Sequence, residues 1–407
     1  MPGDLERRSR LDHESADGSA CELRRRVLIV QPYLNPRGGS SAVAAWIVEA
    51  LRDPHHVTLL TWQRPDFAAV DRSFDTRLAT GGFTCVLGPP RLHGWLERVP
   101  LKLDLLKDSC LVQHARRLAP SFDVVISANN EHDLGRPAIQ YVHYPRFEAL
   151  RPARERSAWY QGALAVRGYR RAVSALTRTR PARLRANRTL TNSDWVGERY
   201  RDVHGGTPET LNPPAPGTFP ERAWSARADG IVCIGRLAAE KRLEVVVDAV
   251  ERVRARGFDL RLRLIGTPDR SGYATTVRRL VAARPAWATL HEGLSRAALC
   301  ALVAGQRYGI HAMPDEHFGI AVAEMLRGGC IPFVPASGGP AEIVGRDPRL
   351  LFRDAGEAAD RIAAVMADDT LQASLRSALA ARRERFTPEH FVHRLRAIVA
   401  QFDPDHP

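Results

Sequence analysis

The feature that most constrains this chain is an alternation, run through twice, of short apolar stretches with longer amphipathic ones. Residues 26–31, Arg-Val-Leu-Ile-Val-Gln, form a nearly unbroken apolar run of strand length. A loop at 32–39 follows, and then 40–51 set Val43, Trp46, Ile47 and Ala50 along one helix face. The same reading predicts strands at 56–62, 123–128, 138–143 and 188–192, with helices at 101–118 and, broken, at 153–184. The run 211–217, Leu-Asn-Pro-Pro-Ala-Pro-Gly, can be neither helix nor central strand and reads as a linker. Beyond it the pattern restarts, with strands at 231–235, 260–266, 289–292, 308–313 and 330–334. Helices are predicted at 243–255, 273–283, 297–304 and 320–327, and a helical tail at 371–402. Strand–helix alternation with short loops implies an α/β fold of two doubly wound parallel sheets facing each other across a cleft. Ligands of such sheets bind at the carboxyl ends of the strands.

Composition narrows the classes of function. A length of 407 residues fits two domains, and 44% hydrophobic content is that of an ordinary globular chain. No stretch approaches the roughly 18 uninterrupted apolar residues of a membrane span. Residues 1–25 lack the apolar run of a signal peptide and are expected to be a disordered leader. Cys21, Cys85, Cys110, Cys233, Cys300 and Cys330 form no C-x-x-C pair, so free thiols in a reducing cytoplasm are expected. The net charge of +13 is partly local: Arg146 to Arg188 hold twelve arginines against Glu148 and Glu155. Such a belt either attracts an anionic partner or is a solvated face. Neither zinc-finger spacing nor an RNA-recognition signature is present, so nucleic acid is not an expected partner.

The chemistry is expected in the stretch His-Ala-Met-Pro-Asp-Glu-His-Phe-Gly-Ile-Ala-Val-Ala-Glu, residues 311–324. It follows a strand and opens a helix. Glu316 precedes the turn, and Gly319 lets the backbone pass close to a ligand. The amides of Phe318, Gly319 and Ile320 are then placed to meet phosphate or hydroxyl oxygens. Glu324 lies two turns further on the same helix, aimed into the same cleft. As an acceptor-only carboxylate it suits a vicinal diol such as ribose. His311, inside an apolar strand, reads as structural.

This pattern resembles the retaining glycosyltransferases of GT-B architecture, specifically family 4. The Glu-His-Phe-Gly-Ile and Ser337-Gly338-Gly339-Pro340 pieces are most similar to the dolichol-pathway α-1,2-mannosyltransferase branch. The resemblance runs from about Val27 to Phe402. It implies that Glu316 is the catalytic carboxylate facing the donor sugar and that Glu324 holds the ribose. Gly235-Arg236-Leu237-Ala238-Ala239-Glu240-Lys241 matches the family's G-R-x-x-x-x-K loop, making Arg236 and Lys241 the cations of a departing diphosphate. The turn at Gly38 and Gly39 resembles the glycine-rich loop that closes over the diphosphate or the acceptor. His143, at a strand end, resembles a contact to donor sugar or acceptor, against a rival reading as a hydrogen-bonded structural histidine. Ser193 or Asp194 reads as a helix N-cap. Gly266, Gly293 and Leu294 fall where the family holds the nucleobase. Met325-Leu326-Arg327 departs from the small residues usual after the second glutamate, which puts the donor's identity in question.

The expected organisation is an N-terminal acceptor-side domain at 26–212 and a nucleotide-sugar domain at 213–385. A final helix within 386–407 is expected to cross back. The implied reaction moves a hexose, mannose-like or glucose-like, from a GDP- or UDP-linked donor to a glycan, polyprenyl-phosphate-linked or small-molecule acceptor. Neither cofactor nor metal is expected. A cytoplasmic location is expected, either free or peripheral on the inner face of an anionic membrane. The rival readings are an epimerase or phosphorylase on the same scaffold, and a non-catalytic nucleotide-sugar or glycan-binding protein.

Overall fold

The computed structural model describes residues 24–36, 38–90, 93–94, 104–145, 163–176 and 178–405. Its first sheet holds β1 (Arg26–Val30), β2 (His56–Thr61), β3 (Thr84–Leu87), β4 (Val124–Ser127), β5 (Ile139–Val142), β6 (Arg188–Thr191) and β7 (Glu209–Thr210). All neighbours are parallel, in the order β3-β2-β1-β4-β5-β6-β7. Parallel strands covered on both faces need unbroken apolar runs, and Val27 to Val30 and Val124 to Ile126 are correspondingly buried throughout. Helices α1 (Gly39–Leu51), α2 (Phe67–Phe74), α3 (Asp104–Leu118), α4 (Ala163–Leu176), α5 (Pro181–Arg185) and α6 (Asp194–His204) accompany this sheet.

The second sheet repeats the plan. It holds β8 (Ala228–Leu237), β9 (Arg261–Pro268), β10 (Ala288–Glu292), β11 (Gln306–Ile310), β12 (Ile331–Pro335) and β13 (Leu351–Phe352). The strands are again parallel, ordered β10-β9-β8-β11-β12-β13. Its helices are α7 (Leu243–Ala255), α8 (Tyr273–Ala282), α9 (Arg296–Ala304), α10 (Ile320–Arg327), α11 (Gly339–Ile343), α12 (Ala355–Met366), α13 (Asp369–Ala380) and α14 (Pro388–Gln401). The winding reverses between β1 and β4 in one sheet and between β8 and β11 in the other. The crevices opened there are where doubly wound sheets bind ligands.

The chain passes between the two halves twice, and the passages are joined. The Ala215 amide donates to the Phe386 carbonyl at 2.9 Å, and the Arg327 guanidinium donates to the Ala215 carbonyl. Thr387 then caps α14, with Pro388 at its first position. Phe391, Leu395, Ile398 and Val399 of this last helix, with Phe402 just after it, enter the N-terminal core beside Val27, Val43 and Ile47. Burial of that kind stabilises by roughly 1.5–3 kcal/mol per large apolar side chain.

Several expectations are revised. Residues 1–23, including Cys21, lie outside the described residues, but Arg25 belongs to the fold. Its guanidinium donates to the carbonyls of Val399 and Phe402, each at 2.9 Å, and so closes the end of α14. β8 runs two residues past Gly235, because Arg236 and Leu237 pair with Thr267 and Pro268 of β9. The helical tail is two helices, broken where Thr387 and Pro388 start a new one. Of the helix predicted at 153–184, α4 and α5 are present, while 153–162 and, in the arginine belt, Arg146, Arg151, Arg154 and Arg156 lie outside the described residues. Among the described residues no helix is long and apolar enough to cross a membrane.

Candidate active site

The site is built where β11 ends. The strand stops at Ile310, so His311 to Phe318 form the connection into α10. Gly319 is the N-cap of that helix at φ 95°, a left-handed conformation that a side chain would strain. The connection rests on the turn that opens α11. The Gly339 amide donates to the Glu316 carbonyl at 2.9 Å. A Cβ at Gly339 would lie 2.6 Å from both the His317 carbonyl oxygen and the Phe318 Cα. The Ser-Gly-Gly-Pro sequence is thereby explained: it lets two backbones touch beneath the glutamate.

Glu316 meets a cation from the neighbouring strand end. Lys241, in the turn after β8, donates to Oε2 of Glu316, and both side chains are largely buried. His311 Nε2 lies 3.3 Å from the same oxygen. Burial opposes ionisation of Glu316, yet His311 and Lys241 together hold its carboxyl well below the usual range. Burial also depresses the His311 imidazole, so at neutral pH it faces the carboxylate uncharged. His311 is thus buried, as expected of a structural residue, and also adjoins the candidate catalytic group.

Arg236 is not drawn into this cluster. It is half-exposed at the end of β8 and pairs with Glu240 at 2.7 Å. Glu324 is fully buried on α10 rather than open to the cleft, and it pairs with Arg296 at the start of α9. Arg296 also donates to the Ser73 carbonyl at 2.6 Å, at the C-terminal end of α2 in the other domain. A ribose would have to share or displace this guanidinium to reach Glu324. Gly293, at φ 69°, and Leu294 form the turn just before Ser295 caps α9, so the expected base-side loop adjoins Arg296. Gly266 has a packing role, since a Cβ there would lie 2.4 Å from the Gly235 carbonyl oxygen.

The N-terminal domain faces the site with the three expected segments. Gly38 and Gly39 open α1, and a Cβ on Gly39 would stand 3.4 Å from Ile320 Cδ1. Ile320 packs against both hydrophobic cores. Phe318 is buried and packs on Phe386, leaving its backbone as the part that lines the connection. His143 follows β5, and its Nε2 lies 3.0 Å from the Ala128 carbonyl, which requires that nitrogen to carry the proton. Asn130 Oδ1 accepts from the amides of His143 and Tyr144 at 2.7 and 3.1 Å. Ser193, and not Asp194, caps α6, accepting from Val196 at 3.1 Å.

The sequence assigns no role to Arg296, His317, Glu342 or Tyr144, although His317 lies within the 311–324 stretch. Tyr144 and His317 stack at 4.2 Å between centroids. Among the described residues no group of three or more His, Cys, Asp or Glu stands together as a metal site.

Two Rossmann-like domains with their switch-point crevices opposed define the GT-B architecture. Residues 220–382 match the family described as Glycosyl transferases group 1. A 172-residue stretch is 30% identical to the GDP-Man:Man(3)GlcNAc(2)-PP-Dol alpha-1,2-mannosyltransferase of Candida glabrata, covering 37% of this chain. The chain spans about a third of that relative's length, 33%. Anabaena Alr3699/HepE, solved in complex with UDP and glucose, superposes with a TM-score of 0.64 at 14% identity, over 93% of this chain and 100% of that one. Sucrose-phosphate synthase from Thermosynechococcus elongatus gives a TM-score of 0.63 at 15% identity, over 93% and 99%. At these identities the likeness to the solved structures is one of fold.

Proposed function

We propose that this protein is a retaining, family 4 glycosyltransferase that moves a hexose from a nucleoside-diphosphate sugar to an acceptor. The observation that carries the reading is the Lys241–Glu316–His311 cluster at the β8/β11 switch point, opposite the Gly38–Gly39 turn. An ionised carboxylate kept out of bulk water can orient sugar hydroxyls and stabilise positive charge developing at the anomeric carbon. As the C1–O bond to the diphosphate lengthens, charge on the leaving oxygens would be met by Lys241, Arg236 and the positive end of α10 at Gly319 and Ile320. The acceptor oxygen then bonds to C1 on the same face, and its proton passes to the departing diphosphate. No separate protein base is needed. His143 would contact the sugar or acceptor through its imidazole, and Glu324 the ribose. Phosphate charge is neutralised by these protein groups, so the reading expects turnover without a metal.

The name of the Candida relative supports GDP-mannose as a donor, and the UDP-bound neighbours support a UDP-sugar. We carry both forward. A glycan or polyprenyl-phosphate-linked acceptor, with peripheral contact at an anionic membrane, is the acceptor reading. Glu316→Gln is the test. It keeps the side-chain shape, so the variant should still unfold cooperatively and bind UDP or GDP while donor turnover falls at least about 100-fold. Turnover at the wild-type rate would remove Glu316 from the mechanism.

A further inference from the structure

We propose that Glu342 is a positioning residue for Glu316: its carboxylate clamps helix α6 of the N-terminal domain onto the donor-side connection, so that Glu316 is set in place when the domains close. This rests on the reading of Glu316 given above.

Glu342 belongs to α11, in the C-terminal domain. Its two carboxylate oxygens accept the backbone amides of Asp194 and Trp195 at 2.9 and 2.6 Å. These are the first two residues of α6, in the other domain. The amides of a helix's first turn have no intrahelical acceptor. Here Ser193 satisfies the third, and a residue from across the cleft satisfies the first two. An anion on a helix N-terminus is favourable, and its hydrogen bonds are of the stronger, charge-assisted kind.

The clamp acts on the residue next to Glu316. Ser193 Oγ donates to the His317 carbonyl at 2.6 Å. The Tyr144 ring stacks on the His317 ring at 4.2 Å and 13°, and Trp195 lies 6.2 Å from it at 21°. Arg199 sits 3.3 Å above the Trp195 ring. His317 is therefore held by three residues of the N-terminal domain. On its own side, α11 cannot shift without the Glu316 connection. The Gly339–Glu316 hydrogen bond joins them, and Cβ atoms at Gly338 or Gly339 would come within 2.6 Å of that backbone. Arg382 fixes the far end of α11, donating to the carbonyls of Glu342 and Ile343 at 2.7 and 3.0 Å. A pull on the Glu342 carboxylate thus reaches Glu316 through backbone contacts rather than through a flexible side chain.

The test compares wild type with Glu342→Ala and Glu342→Gln. Glutamine keeps the length but places an NH₂ group against a backbone N–H, so it should be intermediate. Small-angle scattering reads the radius of gyration, calorimetry the affinity for UDP and GDP, and nucleoside-diphosphate release from UDP-glucose and GDP-mannose reads kcat and KM. For Glu342→Ala the radius of gyration should rise and nucleotide affinity should stay within about threefold. Donor kcat should fall at least about tenfold with KM within about threefold, the signature of an interaction used after binding. Tyr144→Leu, which removes the ring stack from the opposite domain, should move each readout the same way and serves if Glu342→Ala fails to fold. Unchanged dimensions with unchanged kcat overturn the proposal. So does a loss confined to nucleotide affinity, which would make Glu342 a prop of the donor loop alone. If wild type turns over neither donor, the proposed function fails, and the scattering comparison alone decides the clamp.

Discussion

Replacing Arg296 with alanine should destabilise the protein in a strongly pH-dependent way. Glu324 has a side chain 6% exposed and Arg296 one 22% exposed, so the pair is largely withdrawn from water. Removing one partner of such a pair typically costs about 3–5 kcal/mol, because it strands a buried charge. Burial already pushes the Glu324 carboxyl above its usual range, with Arg296 pulling it back. Without the arginine the upward shift grows. A carboxyl whose folded-state pKa exceeds its unfolded value loses stability as pH rises from the unfolded value through the folded one. The cost of Arg296→Ala should therefore be fully expressed at pH 8 and shrink toward pH 5.5, where the carboxyl takes up a proton. A pH-independent remainder comes from the lost bond to the Ser73 carbonyl. Urea unfolding at the two pH values measures the difference. Adding Glu324→Gln removes the stranded charge, so the double variant at pH 8 should recover roughly 2 kcal/mol or more of the loss. Equal destabilisation at both pH values, or no recovery in the double variant, would refute the reasoning.

Two further outcomes follow from the same geometry. Lys241→Met keeps the stem and removes the charge beside Glu316. With burial then opposed by His311 alone, the Glu316 carboxyl should rise back toward its ordinary range. Donor turnover should drop by about 10²–10³-fold at neutral pH, and an acid limb absent from wild type should appear in the pH profile of kcat; a wild-type profile would contradict the pairing. Gly339→Ala forces a Cβ to 2.6 Å from backbone atoms of His317 and Phe318. It should cost about 1–3 kcal/mol by thermal or chemical unfolding, and neutrality would contradict the close approach.

The parts of this fold that were legible in the sequence are those in which local pattern and burial coincide. Strands such as β1 and β4 are covered on both faces, so they are written as unbroken apolar runs, and the proline-rich passage at 211–217 excludes regular structure outright. The edge strand β3 is half-exposed, and β7 and β13 are two residues each, too short to leave a period. Helices α2 and α12 likewise lie outside the elements that the sequence pattern predicts. The extra length of β8 depends on pairing with β9, which no local window contains. In the site, Glu316, Gly319, Lys241 and Ser193 could be singled out because each carries a motif or a cap. Their partnerships could not: Lys241 and Glu316 are 75 residues apart, and Trp195 and Glu342 are 147 apart. The resemblance implies a phosphate for Lys241 and a ribose for Glu324, and in the fold each also has an ion-pair partner within the protein, Glu316 and Arg296. Arg296 and Glu342 looked like ordinary charges on short helices until the second domain was placed against them.

The most direct test of the account is nucleoside-diphosphate release by the purified protein from UDP- and GDP-hexoses, compared with Glu316→Gln. A retaining transferase should release the diphosphate from at least one donor, slowly to water and faster with an acceptor, keeping the donor's anomeric configuration in the product. Glu316→Gln should bind the same nucleotide and release at most about one hundredth as much. Release from no donor, or equal release by wild type and variant, would contradict the assignment of this site.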